Sequence, residues 1–422
     1  MTDLLTVDDL VVRFRTHDHT IHAVNGVSFA MEAGETLALV GESGCGKSVT
    51  SLAITRLLPQ PAGRIEGGRI EFEGRSLLDL PADEMLSVRG PAIAMIFQDP
   101  LTSLNPVLTI GKQMTEGMRE HRGMSRADAW ARAAELLQMV GIGDAERRLK
   151  SYPHQMSGGM RQRVMIAMAL ALTPRLLIAD EPTTALDVTI QAQVMDLIRD
   201  LASSTGTAVL LITHDLGVVA DMTQRVCVMY AGFVVETATT DELFARPRHP
   251  YTVGLLRSIS RIDADDTGEL RPIEGVPPEQ SRPPVGCPFA PRCAWRLPQC
   301  WTENPPLVTT GEGPVVRTGT DASHLLACHN PATPDEVAVG VPMRPGFRAA
   351  PRPTGGGTPG SRRGPGGSPG VAGRPGDSED LRHERGLVEA AQDVGGADLI
   401  GRPLIRNIET PDPDHPERRG DQ

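Results

Sequence analysis

The sequence predicts an α/β fold in which a parallel core sheet is followed by a small Cys- and Pro-rich extension and a disordered tail. Short continuous apolar runs alternate with helical patterns up to about residue 255, which is typical of parallel strands buried on both faces. Pro and Cys become frequent over 256–332, and Gly and Pro dominate 333–422, where core-forming residues are rare. We therefore expect units at 1–255, 256–332 and 333–422, and an extension cored separately from the first unit.

Four apolar runs and three helical patterns define the core elements. The strands are predicted at Thr36–Val40, Ile93–Phe97, Leu176–Ala179 and Ala208–Ile212. The helices are predicted at Ser48–Leu58, Arg126–Val140 and Ile190–Ser203. Strands separated by helices favour a sheet that binds ligands at the carboxyl ends of its strands. Functional residues are therefore expected just after each strand.

Composition and charge argue against several classes of protein. The 422 residues include 42 Lys and Arg against 53 Asp and Glu, a net charge of −11, which argues against a nucleic-acid partner. No apolar run approaches the roughly 18 residues that a transmembrane helix needs. The first residues carry acids where a signal peptide would be basic. We expect a cytosolic chain that reaches a membrane only through partners.

The loop from Gly41 to Ser48 fits the phosphate-binding pattern G-x-x-x-x-G-K-S/T between a predicted strand and a predicted helix. Its glycines let successive N–H groups face an anion, and the helix N-terminus adds partial positive charge. Lys47 is expected to reach the β- and γ-phosphates of ATP, and the Ser48 hydroxyl to ligate Mg²⁺. The predicted nucleotide-binding residues here are Gly41, Glu42, Ser43, Gly44, Cys45, Gly46, Lys47, Ser48 and Val49.

Two acids, Asp180 and Glu181, end the apolar strand at 176–179. Buried charge at a strand end is costly unless a metal or a hydrogen-bond network compensates for it. Asp180 is therefore a candidate ligand of Mg²⁺, and Glu181 a candidate for polarising the water that attacks the γ-phosphate.

Further motifs resemble those of the ABC transporter ATPases. Ser157-Gly158-Gly159-Met160-Arg161-Gln162-Arg163 is similar to the signature motif, and Ala185-Leu186-Asp187 to the D-loop. Gln98 matches the Q-loop, and His214 matches the switch histidine. The resemblance covers about residues 4–330 and implies an ABC ATPase cassette with a helical subdomain at about 99–165.

The resemblance also implies roles for these residues. Gln98 is expected to contact Mg²⁺ and the attacking water, and His214 to hydrogen-bond the γ-phosphate. Ser157, Gly158, Gly159 and Asp187 would close over ATP bound to a second cassette. Phe14 is expected to stack on adenine, with a core position as the alternative.

The segment Phe97–Pro106, Tyr152–Gln155 and the extension resemble the oligopeptide and dipeptide importers within this family. Cys287, Cys293, Cys300 and Cys328 are spaced C-x5-C-x6-C-x27-C. They favour one metal centre, for which a [4Fe–4S] cluster is expected, with zinc, reduced thiols or disulfides as the alternatives and His329 as an alternative to Cys328. Arg292 is expected to offset the charge of that cluster.

The family likeness implies an ATPase subunit that powers peptide import from the cytoplasmic face of the membrane. Its expected partners are two permease subunits, a second cassette that is identical or different, and, indirectly, an extracytoplasmic peptide-binding protein. The alternatives are an importer of nickel or another small solute, opposed by the cysteine extension, and a soluble ABC ATPase without a transport role.

Overall fold

A computed structural model describes residues 3–99, 103–183, 188–258, 273–282, 285–309 and 324–332. Three predicted features fall outside these ranges: the D-loop residues Ala185, Leu186 and Asp187, part of the segment after Gln98, and the tail at 333–422.

A mixed eight-stranded sheet forms the centre of the molecule, in the order β11-β12-β10-β9-β3-β8-β7-β6. Strands β9, β3, β8, β7 and β6 run parallel to one another, and their side chains are almost all buried. The parallel arrangement of β3, β6, β7 and β8 agrees with the prediction, whereas β9 was not predicted. The sheet strands are β3 (Thr36–Val40), β6 (Ile93–Ile96), β7 (Leu176–Asp180), β8 (Ala208–Thr213), β9 (Arg225–Tyr230), β10 (Phe233–Thr239), β11 (Val308–Thr309) and β12 (Leu325–Leu326).

A second, antiparallel sheet has the order β2-β1-β4-β5 and was not predicted. It consists of β1 (Leu5–Arg15), β2 (Thr20–Met31), β4 (Gly63–Phe72) and β5 (Arg75–Ser76). Buried and part-exposed residues alternate along β1, as expected for a sheet with one covered face. Its apolar side chains join those of β3, β7 and β8 in one core cluster.

Ten α-helices lie within the described residues. They are α1 (Lys47–Ile54), α2 (Ala82–Val88), α3 (Ile110–Arg122), α4 (Arg126–Met139), α5 (Ala145–Leu149), α6 (Gly158–Leu170), α7 (Val188–Thr205), α8 (Leu216–Met222), α9 (Thr240–Ala245) and α10 (Pro250–Arg257). Ser125 and Ser157 cap α4 and α6 by accepting a backbone N–H three residues on. The buried faces of α3, α4, α6 and α7 form a second cluster against β6, β7 and β8.

The cysteine extension packs on the core of the cassette. Phe289 and Cys293 belong to the same buried cluster as Val40 and Tyr230 of the central sheet. Strand β12 pairs with β10, and so extends that sheet. The prediction of a separately cored extension is therefore wrong for the described residues, because its few apolar side chains find their partners on the sheet.

Candidate nucleotide site

The loop between β3 and α1 has the backbone that the motif requires. Gly41, Gly44 and Gly46 have φ values of 152°, 76° and 102°, which side-chain-bearing residues rarely adopt. A Cβ on Gly41 would lie 2.2 Å from the carbonyl oxygen of Met229, and one on Gly46 would lie 2.5 Å from that of Ala23. The glycines let the loop turn tightly at the N-terminus of α1, where a phosphate group is favoured.

Lys47 is buried, and its ammonium group rests on the loop itself. Its Nζ donates to the carbonyl oxygens of Gly41 at 2.9 Å and Glu42 at 3.1 Å. The Cys45 Sγ lies 3.8 Å from the same Nζ, and burial raises the pKa of the Cys45 thiol. The loop therefore presents a cation and a protonated thiol, which suits anion binding.

Ser48 and Asp180 meet at the carboxyl end of the sheet. The Ser48 hydroxyl donates to Asp180 Oδ1 at 2.8 Å, and only 5% of Asp180 is exposed. A hydroxyl and a carboxylate are hard oxygen donors of the kind that Mg²⁺ prefers. The two side chains therefore fit a magnesium site beside the phosphate loop.

The three residues predicted to be catalytic form one contact group around Glu181. This carboxylate is 6% exposed and accepts from Gln98 Nε2 at 3.0 Å, while His214 Nδ1 lies 3.2 Å from its other oxygen. Glu181 has a φ of 44°, an uncommon left-handed conformation that orients its side chain at the strand end. The hydrogen bond and charge of Glu181 raise the pKa of His214, although partial burial lowers it.

The predicted signature residues lie at a different place. Ser157 and Gly158 are exposed at the N-terminus of α6, where the Ser157 hydroxyl accepts from the Met160 N–H at 3.3 Å. A Cβ on Gly158 would meet nothing within 4 Å. This exposed helix N-terminus is open to a ligand that arrives from outside the chain.

Phe14 lies on β1 and is half-buried. Its ring lies over Gly63 of β4, where an added Cβ would come within 2.8 Å of Phe14 Cε1. The side chain packs against the first core cluster, so part of its surface is buried in the core, as the alternative to adenine stacking expects. The adenine-stacking role stays a prediction.

The four extension cysteines line one small cavity together with His249, Trp295 and His329. Burial raises the pKa of the Cys287 and Cys293 thiols, and raises that of Cys328 to about 12. Among the described residues, no three His, Cys, Asp or Glu side chains are arranged to hold a metal ion. The structure therefore brings the four thiols to one cavity without arranging them as a metal site, and the iron–sulfur cluster stays a prediction.

Arg292 does not point toward the cysteines, contrary to the prediction that it offsets cluster charge. Its guanidinium group makes two hydrogen bonds with the Glu42 carboxylate, at 2.6 and 3.0 Å. The sequence reasoning missed this pair, because 250 residues separate two ordinary surface-type residues.

Comparison with known proteins places this site in a family. Residues 24–184 match the family described as ABC transporter, and residues 235–300 match the oligopeptide/dipeptide transporter C-terminal region. The chain is 50% identical to the oligopeptide transport ATP-binding protein OppD of Bacillus subtilis (strain 168), over 82% of this chain and 95% of that protein. It is 53% identical to the dipeptide transport ATP-binding protein DppD of the same organism, over 71% and 89%.

A solved structure agrees with this placement. The dimeric structure of MJ0796, a bacterial ABC transporter cassette, matches with a TM-score of 0.51 and 29% identity, covering 56% of this chain and 98% of that chain. The predicted α/β cassette fold is therefore confirmed. The chain belongs to the family of ABC transporter ATP-binding proteins that carry the oligopeptide/dipeptide C-terminal region, and it is an ATPase that uses ATP with Mg²⁺.

Proposed function

We propose that this chain is the ATP-hydrolysing subunit that powers the import of dipeptides or oligopeptides across the cytoplasmic membrane. One observation carries the proposal: an ABC cassette and the oligopeptide/dipeptide transporter region occur on one chain, at residues 24–184 and 235–300. The relatives OppD and DppD are named for oligopeptide and dipeptide transport. Nickel import is less favoured, because the matched extension is that of the peptide transporters.

Each contact in the nucleotide site supports a specific role. Lys47 would exchange its loop carbonyls for the β- and γ-phosphates, since an ammonium bonds more strongly to an anionic oxygen than to a carbonyl. Ser48 and Asp180 would hold Mg²⁺, which neutralises charge that develops on the phosphates. Glu181 would orient and deprotonate the attacking water, with Gln98 and His214 fixing its carboxylate.

Hydrolysis would require a second cassette. Ser157 and Gly158 are exposed at the N-terminus of α6, and so are available to an ATP molecule bound by another subunit. The solved structure of MJ0796, a similar cassette, is dimeric, which supports pairing of two cassettes. ATP would close two cassettes together, and hydrolysis would release them. The predicted role of Asp187 at this interface also belongs to the proposal.

The membrane partners would be two permease subunits, with an extracytoplasmic peptide-binding protein acting through them. Within the described residues, no helix is long and apolar enough to cross a membrane. We place the chain at the cytoplasmic face of the membrane, bound through the permease. Tyr152 and Val107 of the predicted helical subdomain are exposed apolar side chains that are available for such docking.

A metal at the cysteines stays part of the proposal, as a [4Fe–4S] cluster or, alternatively, as zinc. Its support is that Cys287, Cys293, Cys300 and Cys328 line the same cavity. Protein purified without oxygen should absorb broadly near roughly 400 nm and carry iron, and Cys293→Ser should lose both. Stoichiometric zinc without iron would replace the cluster with a zinc site. Protein that contains neither metal would exclude both.

Reconstitution tests the transport function. The chain would be assembled with its permease subunits in liposomes, and ATPase activity measured with the peptide-binding protein and a mixture of short peptides. We expect peptides to stimulate hydrolysis and Ni²⁺ to have no effect. The Glu181→Gln variant reports the background rate. Stimulation by Ni²⁺ alone would contradict the proposal.

A further inference from the structure

The side chain of Arg292, in the cysteine extension, holds the phosphate loop. Only 5% of this side chain is exposed. The guanidinium group makes five hydrogen bonds, a number equal to its N–H groups. Two bonds go to Glu42, and the others go to the Tyr230 hydroxyl and the carbonyl oxygens of Ile273 and Glu274. A guanidinium group with all of its N–H groups engaged fixes both the position and the orientation of the Glu42 carboxylate.

Two further contacts from the C-terminal part of the chain hold the same loop. The backbone N–H of Glu42 donates to the Tyr251 hydroxyl at 2.7 Å, and Tyr251 is completely buried. Gln280 Nε2 donates to the carbonyl oxygen of Gly44 at 2.8 Å. The backbone carbonyl oxygen of Gln280 in turn accepts from the backbone N–H of His22, in β2, at 2.8 Å. The phosphate loop is thus attached at Glu42 and Gly44 to residues more than 200 positions away.

The turn that carries Arg292 is itself rigidly packed. A short 3₁₀ helix, Ala290–Arg292, is closed by a hydrogen bond from the Arg292 N–H to the Phe289 carbonyl at 3.0 Å. The Phe289 ring packs edge-on against Tyr230 with centroids 5.2 Å apart, and lies 5.4 Å from Tyr251. The arginine is therefore presented from a fixed base rather than from a mobile loop.

The ion pair between Arg292 and Glu42 affects nucleotide binding through the charge of Glu42. Glu42 is a carboxylate on the loop that must receive a triphosphate, and like charges repel each other. The bidentate ion pair with Arg292 offsets that charge and fixes the side chain that bears it. Because only 26% of the Glu42 side chain is exposed, water screens its charge only in part.

We propose that Arg292 is a positioning residue for ATP, which orients the phosphate loop through Glu42 and neutralises that carboxylate. The inference rests on the proposed nucleotide site and deepens it. The cysteine-containing extension is then a working part of the ATP site of its own chain.

The test is a set of matched variants of the full-length chain, with affinity for a fluorescent ATP analogue measured at equilibrium in Mg²⁺. Arg292→Met should bind about tenfold more weakly, equivalent to about 1.4 kcal/mol. Arg296→Met is the control, because Arg296 lies near the same turn and donates to the Cys293 carbonyl, and its affinity should be unchanged. Adding Glu42→Gln to Arg292→Met should restore at least half of the lost affinity on a logarithmic scale, since it removes the uncompensated charge.

Rescue separates a positioning role from a merely structural one. If Arg292 only stabilised the extension, removing the charge of Glu42 would not restore ATP binding to Arg292→Met. Thermal melting shows whether Arg292→Met folds. If it does not, Arg292→Lys takes its place, because lysine keeps the charge but cannot make two parallel hydrogen bonds to the carboxylate. Arg292→Lys should bind the analogue about threefold more weakly than wild type. Unchanged affinity in the folded Arg292 variant, or loss without rescue, would overturn the proposal. A wild-type chain that binds no nucleotide would overturn the nucleotide site as well.

Discussion

Replacing Glu181 with Gln tests how this site hydrolyses ATP. Gln has the same length and can keep both contacts of the carboxylate, with Gln98 at 3.0 Å and with His214 at 3.2 Å. It lacks only the charge and the basicity. Loss of a general base costs about a hundredfold to ten-thousandfold in rate. That is about 2.7–5.4 kcal/mol in the activation barrier, because each tenfold corresponds to about 1.36 kcal/mol.

Phosphate release from the assembled complex measures the rate, and a fluorescent ATP analogue measures the affinity. We expect the rate to fall by at least about a hundredfold and the affinity to stay within about twofold. Glu73→Gln is a matched control, since Glu73 also has a left-handed φ, 50°, but pairs with Arg175 at the surface. Hydrolysis by Glu181→Gln at the wild-type rate would refute the water-activation role.

The same variant also tests the contact between Glu181 and His214, independently of ATP hydrolysis. The hydrogen bond from His214 to Glu181 is the main cause that raises the pKa of His214. A raised pKa means that the charged imidazole pairs with Glu181 at low pH, and that this pairing is lost as pH rises through the raised value. In Glu181→Gln the pKa of His214 should fall, which an NMR titration of its ring protons would detect. An unchanged pKa would contradict the contact between the two residues.

Three other substitutions probe separate parts of the site. Lys47→Ala should weaken binding of a fluorescent ATP analogue by at least about tenfold, since it removes the buried cation of the loop; unchanged affinity would exclude that role. Ser157→Arg should abolish ATPase activity of the assembled complex while each chain still binds ATP, and normal activity would contradict the shared site. Gly46→Ala should lower the free energy of unfolding by about 2 kcal/mol through its left-handed φ and the close Ala23 carbonyl. Gly143→Ala, in open space, should change it little, so equal effects in urea unfolding would refute the steric argument.

The parallel part of the fold was predictable because those strands are buried on both faces. Leu176–Asp180 and Ala208–Thr213 are buried at every position, and continuous apolar sequence indicates this directly. The antiparallel sheet escaped prediction because β1 mixes buried and exposed positions and changes register with both of its neighbours. Asp9 has a φ of 50° within that strand, and the local irregularity interrupts the period-two pattern.

The nucleotide site was predictable to the extent that its chemistry is carried by local motifs. Lys47 and Ser48 are fixed by the loop, and Asp180 and Glu181 by the end of one strand. The attachment of the loop to Tyr251, Gln280 and Arg292 depends on tertiary packing between distant segments, and no local spacing indicates it. The shared core of extension and sheet went unpredicted for the same reason, since it depends on a few residues such as Phe289.

The contacts of the phosphate loop also indicate which part of it moves when ATP binds. Lys47 Nζ donates to neutral carbonyl oxygens of the loop, at Gly41 and Glu42, and a phosphate oxygen is a stronger acceptor. The Glu42 backbone and side chain are meanwhile held by Tyr251 and Arg292. Binding would therefore redirect one lysine side chain while the loop backbone stays in place. A loop that is already ordered loses little conformational entropy when the nucleotide arrives, so more of the interaction energy appears as affinity. The extension thus contributes to ATP binding by fixing the loop before the ligand reaches it.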